Sequence, residues 1–125
     1  LNIKNVLGDK NKNIIKDENI NNIKVRFQKI SDLSPKDLRK LVDEGKNYLK
    51  EGIVIVCASK DDKVGLAIGV TNNLTKDYDA VQLVKVGSEI IGGKGGGGRK
   101  DFAQAGGNKV EMIDEAFKKI RTLIK

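Results

Sequence analysis

The fold turns on Ile53-Val54-Ile55-Val56-Cys57-Ala58, which Ser59-Lys60-Asp61-Asp62-Lys63 separates from a second apolar segment, Val64 to Thr71. Six apolar residues in a row, without the polar alternation of a half-buried strand, read as a central strand buried on both faces. Asp61-Asp62-Lys63 reads as a turn, so the two apolar segments form a hairpin. Gly65 and Gly69 weaken its second strand locally or admit a close-packed neighbour.

Upstream of this hairpin, Ile23, Val25 and Phe27 alternate with Lys24, Arg26 and Gln28, the period of a half-buried strand. Ser34-Pro35-Lys36-Asp37 then marks a helix start, with Ser34 as cap and Pro35 at the first helical position. Leu38, Leu41, Val42, Gly45, Tyr48 and Leu49 share one face at helical spacing. Gly52 suits the left-handed position that ends a helix. Ile14 and Ile15 begin a short strand, and Asp17 to Asn22 reads as a turn. Residues 1–13 are polar, with a weak apolar set at Leu1, Ile3, Val6 and Leu7, and read as a linker or the tail of an upstream helical segment. A start at Leu1 rather than Met points to an excised or processed piece.

Downstream, Thr75 to Tyr78 marks another helix start, with Ala80, Leu83, Val84, Gly87, Ile90 and Ile91 as its apolar face. A glycine-rich stretch follows. Asn108 then caps a final helix, and Glu111 completes a capping box. Val110, Ile113, Phe117, Ile120 and Ile124 form its buried stripe, while Lys118, Lys119, Arg121 and Lys125 crowd its last turns, where cations suit the helix dipole. The expected architecture is α/β or α+β: a single domain over residues 14–125, with a small mixed sheet packed by about three helices.

A chain of 125 residues suffices for one such domain. Its 24 Lys and Arg exceed its 17 Asp and Glu, a net charge of +7 that favours an anionic partner, nucleic acid first. The chain has no histidine, which removes His-based general base catalysis, catalytic triads and His-ligated zinc. Its one cysteine, Cys57, allows neither an intrachain disulfide nor a cysteine metal cluster. No apolar run approaches the ~20 residues of a membrane span, and the N-terminus lacks a signal-peptide pattern. A reducing cytoplasm and no membrane partner are expected. Asp61, Asp62, Asp77 and Asp79 sit at turns and a helix start, where Asp has structural uses, and are not read as a metal site.

The informative stretch for function is Gly92 to Gly107, GGKGGGGRKDFAQAGG, which holds eight of the chain's 14 glycines. Each glycine costs roughly 0.5–1 kcal/mol relative to alanine in regular structure. A run without serine, set between two patterned helices, is not a flexible linker. Without Cβ atoms, backbone N–H groups can converge on an anion, and Lys94, Arg99 and Lys100 add charge at the same place. Gly93-x-Gly95-x-x-Gly98 matches the dinucleotide fingerprint literally, but that motif leaves a strand and enters a helix, and here a helix precedes it. A P-loop needs Lys then Ser or Thr after its last glycine; this chain has Arg99-Lys100. Asp101 and Gln104 can orient Arg99 or hydrogen-bond a base or 2′-OH, and Asp101 equally suits a local turn cap. Phe102 suits either a stacked base or a plug beneath the loop. The candidate RNA-binding set is Lys94, Gly95, Gly96, Gly97, Gly98, Arg99, Lys100, Asp101, Gln104, Gly106 and Gly107.

This stretch resembles the signature at the C-terminal end of alanyl-tRNA synthetases, most specifically in Arg99-x-Asp101-x-Ala103-Gln104-Ala105-Gly106-Gly107. The resemblance covers roughly residues 14–125. One more glycine precedes Arg99 than the family pattern has; Lys100 stands where proline is common and Phe102 where methionine is common. The resemblance implies a non-catalytic, monomeric piece without a cofactor of its own, gripping the outer corner of tRNA(Ala) where the D and T loops meet. The aminoacylation and editing domains would lie upstream in the same chain, using ATP with magnesium and carrying zinc in the editing domain. A related domain in DHH phosphoesterases binds their nucleic-acid or nucleotide substrate, and typically carries a histidine in the glycine motif. Ala103-Gln104-Ala105 and the lack of histidine favour the synthetase branch.

Overall fold

The computed structural model describes residues 13–31, 37–93 and 96–124. Its elements are β1 (Asn13–Ile20), β2 (Ile23–Ser31), α1 (Leu38–Leu49), β3 (Ile53–Lys60), β4 (Lys63–Val70), α2 (Ala80–Ile90), β5 (Gly97–Gly98), β6 (Phe102–Gly107) and α3 (Ile113–Leu123). Short 3-10 turns at Asn72–Leu74 and Val110–Met112 lead toward α2 and α3. The six strands run in the order β1-β2-β3-β4-β6-β5. Only β2 and β3 pair in parallel, with Phe27 beside Ile55, because α1 carries the chain back across the sheet between them. The mixed sheet and three α-helices agree with the expected architecture.

Period-two geometry divides the buried residues between two layers. On one face, Leu38, Val42 and Leu49 of α1 pack on Val54, Val56, Ala58 and Ala67. On the other, Leu83 and Val84 of α2 and Ile113, Ala116 and Ile120 of α3 cover Val25, Phe27, Ile53, Ile55, Leu66 and Ile68. The run Ile53 to Ala58 is fully buried because helices lie on both sides of it. Close helix–sheet contact sets the small residues: a Cβ at Gly69 would collide with Val42, and one at Gly45 would lie 2.8 Å from Val54 Cγ1.

Cys57 is fully buried within the larger layer. Burial pushes its thiol up to about 12 from an ordinary 9.0, with Asp114 adding to the rise and Lys29 opposing it. The folded state therefore favours the protonated thiol. The stability this lends is complete below pH about 9 and is lost as pH rises toward 12. Iodoacetamide at pH 8 is expected to leave Cys57 unmodified in folded protein and to alkylate it in urea, because the thiolate is the nucleophile. Stoichiometric labelling without denaturant, read by mass spectrometry, would contradict this packing.

The structure corrects several local expectations. The segment expected to turn, Asp17 to Asn22, is mostly strand, and only Asn21 and Asn22 turn, with φ of 54° and 65°. Asp17 and Glu18 are tolerated on this edge strand because each has a cationic partner. Arg26, the cross-strand neighbour of Asp17, donates to its carboxylate at 2.8 and 3.2 Å, and Arg121 of α3 reaches Glu18. After α1 the positive φ, 68°, falls on Lys50 rather than Gly52. Gly52 is required for another reason: a Cβ there would collide with the Lys24 carbonyl oxygen. The second helix starts at Ala80, not Thr75 to Tyr78, with the Asp79 carboxylate accepting from Val81 N at 2.9 Å. No Asn108–Glu111 capping box forms. Instead, Ile91 O accepts from Asn108 N and Lys109 N at 2.9 and 2.8 Å, and the chain enters α3 through a 3-10 turn. The expected Ser34-Pro35 helix start and all of residues 1–12 lie outside the described residues. No described helix is long and apolar enough to cross a membrane.

Candidate nucleic-acid interface

Most of the stretch expected to be a glycine loop is a hairpin at the edge of the sheet. Phe102 to Gly107 pair antiparallel with Gly69 to Val64 of β4, and Gly97 and Gly98 fold back opposite Gln104 and Ala103. Alternating small residues carry no hydrophobic period, so the strand shows only through its pairing. Arg99 N donates to Phe102 O at 2.6 Å and Phe102 N to Arg99 O at 3.2 Å, leaving Lys100 and Asp101 at the tip. Two further main-chain bonds clamp that tip to the domain. Val70 N, at the end of β4, donates to Asp101 O at 2.9 Å, and Ala80 N, at the start of α2, donates to Lys100 O at 3.0 Å.

Arg99 and Lys100 thus present exposed side chains from a backbone with little freedom left. Asp101 holds the turn through its main-chain carbonyl, which accepts from Val70 N. Gln104 is exposed and lies on the α1 side of the sheet with Phe102 and Gly106, two residues apart each. Phe102 is half-buried against the α1 layer, and the guanidinium carbon of Arg39 sits 5.2 Å from its ring centroid. The ring is a plug with a cation above it. Gln104 and Gly106, with Lys63 and Gly65 of the β3–β4 hairpin, line a shallow concavity of about 510 Å³.

The glycines divide by what surrounds them. A Cβ on Gly93 would run into Gly106 O, one on Gly96 into Gln104 O, and one on Gly107 into Ile91 O; these positions are closed by packing. Gly106 has ordinary room, 3.5 Å from Val64 O. Gly98 combines a φ of 150° with an obstructing Phe102 O. Gly97 has nothing within 4 Å of an added Cβ. Lys94 and Gly95 lie outside the described residues.

Arg39 was not anticipated, and neither was Lys46, whose aliphatic end lies against Gly69, the cross-strand neighbour of Phe102. Both come from α1 and reach the hairpin's surroundings only because the helix packs across β4. Nothing in the sequence pattern singled them out. Of the carboxylates weighed as metal ligands, Asp79 serves as a helix cap, while Asp61 and Asp62 form the β3–β4 turn with φ of 52° and 64°. Among the described residues there is no group of three or more His, Cys, Asp or Glu able to hold a metal ion.

The DHHA1 domain family model matches residues 22–125. Alanine–tRNA ligase of Parvibaculum lavamentivorans is 47% identical over 103 residues, covering 82% of this chain and 12% of that protein. Alanine–tRNA ligase of Hyphomonas neptunium is 42% identical over 108 residues, covering 86% of this chain and 12% of that protein. The chain therefore spans about 12% of the length of these curated relatives. Among solved structures, the C-Ala domain from Aquifex aeolicus alanyl-tRNA synthetase superposes with a TM-score of 0.81 at 28% identity, over 87% of this chain and 97% of that one. A DHH domain from a member of a family of ribosomal proteins superposes with a TM-score of 0.53 at 23% identity, over 94% of this chain and 28% of that one, a likeness of fold alone. Because the matched region runs from the β1–β2 turn to the C-terminus and takes in the whole hairpin, the chain belongs to the DHHA1 domain family.

Proposed function

We propose that this chain is the C-terminal, tRNA-holding domain of an alanine–tRNA ligase and performs no chemistry by itself. The observation that carries the reading is the clamped hairpin tip. Arg99 and Lys100 project from a turn held by four main-chain hydrogen bonds, so little backbone entropy remains to be lost when they meet an anion. Arg99 offers a bidentate fork to phosphate and Lys100 a point charge. Lys94, Gly95, Gly96, Gly97, Gly98, Asp101, Gln104, Gly106 and Gly107 complete the contact strip, with Asp101 positioning the turn. The high identity to two alanine–tRNA ligases supports assigning the parent activity to this branch rather than to a DHH phosphoesterase.

In this reading the globular unit, residues 14–125, holds the outer corner of tRNA(Ala) while upstream domains of the same cytoplasmic protein aminoacylate and edit. ATP with magnesium, and an editing-domain zinc, belong to those domains. The piece itself is a monomer. Contacts to phosphates position RNA without reading much sequence, so selection by shape is expected, with weak discrimination among tRNA species.

The test is fluorescence anisotropy with labelled tRNA(Ala), duplex DNA as control, and a salt titration. Neutralising about four phosphates makes log K fall against log salt with a slope of roughly −3 to −4. A flat response, or equal affinity for the duplex, would overturn the proposal.

A further inference from the structure

Tyr48 occupies a position that helical periodicity assigns to the buried face of α1, yet it is 66% exposed. The guanidinium carbon of Arg26 lies 4.2 Å from its ring centroid. That guanidinium is itself fixed, donating through Nε and Nη2 to the Asp17 carboxylate, with its side chain only 13% exposed. One face of the tyrosine ring therefore rests on an immobilised cation, and the large exposure belongs to the other face and the edge. A ring backed by a cation and wet on its outer face is a stacking surface for a nucleobase, which any base satisfies.

The surroundings suit the rest of a nucleotide. Tyr48 borders a concavity of about 450 Å³ lined also by Lys24, Lys50, Asn22, Asn73 and Glu51. Lys24 and Lys50 are exposed cations within reach of phosphate. The asparagines and Glu51 supply donors and acceptors for base edges. Thr71 ties this place to the hairpin: its N–H donates to Gly52 O at 3.1 Å, and its neighbour Val70 donates to Asp101 O. The concavity and the Arg99–Lys100 tip thus lie at the same end of the sheet. Three strand spacings, from β2 to β6, separate them by about 14 Å. A folded RNA spans that distance with a few nucleotides.

We propose that Tyr48, stacked on Arg26, is the platform for an unpaired base of the bound RNA, with Lys24 and Lys50 taking the adjoining phosphates. The inference rests on the RNA-binding reading above and adds a second contact to it.

The test uses this 125-residue chain. Stacking on an aromatic side chain contributes about 1–3 kcal/mol per base, so Tyr48→Ala is expected to weaken tRNA binding roughly 5- to 150-fold. Tyr48→Phe keeps the ring and should stay within about twofold of the parent. The chain has no tryptophan, so Tyr48→Trp places a single indole at the site, and its emission should be quenched as tRNA binds. An unmoved emission together with parental affinity in Tyr48→Ala, while Arg99→Ala weakens binding, would overturn the platform and leave the RNA-binding reading standing. Quenching by oligoadenylate without any tRNA binding would keep the platform and remove the tRNA assignment. No response to either RNA removes both.

Discussion

Gly98→Ala and Gly93→Ala are each expected to destabilise the folded domain by about 3 kcal/mol, whereas Gly97→Ala leaves it unchanged or stabilises it by up to about 1 kcal/mol. In the first two the obstacle is backbone, which no rotamer change can relieve. A Cβ at Gly98 would meet Phe102 O and sit 2.6 Å from Ala103 Cα, at a φ of 150° that side chains disfavour. A Cβ at Gly93 would drive Gly106 off its pairing with Gly65 of β4. Gly97 has neither obstacle: its φ is not positive and the space around it is open. For a domain of this length, 3 kcal/mol corresponds to a melting temperature lowered by roughly 10–15 °C. Calorimetry separates the three variants, and parental melting of Gly98→Ala would show the hairpin to be paired differently. The contrast also bears on function. Gly97 gives up stability that alanine would return, and the fold supplies no reason for it. Close approach of RNA to the main chain does supply one. Gly97→Ala should then weaken tRNA binding while melting at or above the parental temperature.

The central hairpin and the three helices could be read from the sequence because their signals are local. An unbroken apolar run marks β3, and apolar spacing of three and four marks α1, α2 and α3. What stayed hidden depends on partners remote in sequence. β1 resembles a turn as long as Asp17 and Glu18 are viewed alone; they become strand residues because Arg26 and Arg121 lie opposite them. β6 is invisible in a glycine-rich stretch, since its strand identity resides in the ladder to β4. Tyr48 has the spacing of a core residue, but α1 covers β3 and β4 while β2 lies beyond it, so the ring meets Arg26 at the margin instead of entering the layer. The glycine stretch was legible as the place to look, but not in its division of labour. Gly93, Gly96 and Gly107 are closed by main-chain contacts, Gly106 has ordinary room, and among the described glycines of the stretch Gly97 alone has nothing within 4 Å of an added Cβ, with the exposed Arg99 and Lys100 nearby.

Reversing both charges at the hairpin tip, Arg99→Glu with Lys100→Glu, should lower tRNA affinity roughly 100-fold or more in about 0.1 M salt, because hydrogen bonds to charged groups contribute about 1.5–3 kcal/mol each. The salt slope should shrink by about 2, near 0.9 for each phosphate left without its cation. Folding should be spared, since the bonds that hold the turn come from main-chain atoms of Arg99, Lys100, Asp101 and Phe102 and leave both side chains in solvent. A melting temperature within a few degrees of the parent therefore accompanies the weaker binding, unlike the outcome at Gly98. Arg99→Lys separates charge from geometry. Lysine keeps the cation but not the planar fork, so a drop of about tenfold with the salt slope unchanged identifies bidentate phosphate binding. Full retention of affinity means that Arg99 acts only through the field. If the double reversal binds tRNA as the parent does, the clamped tip is a structural edge, and the interface must be sought elsewhere on the +7 surface.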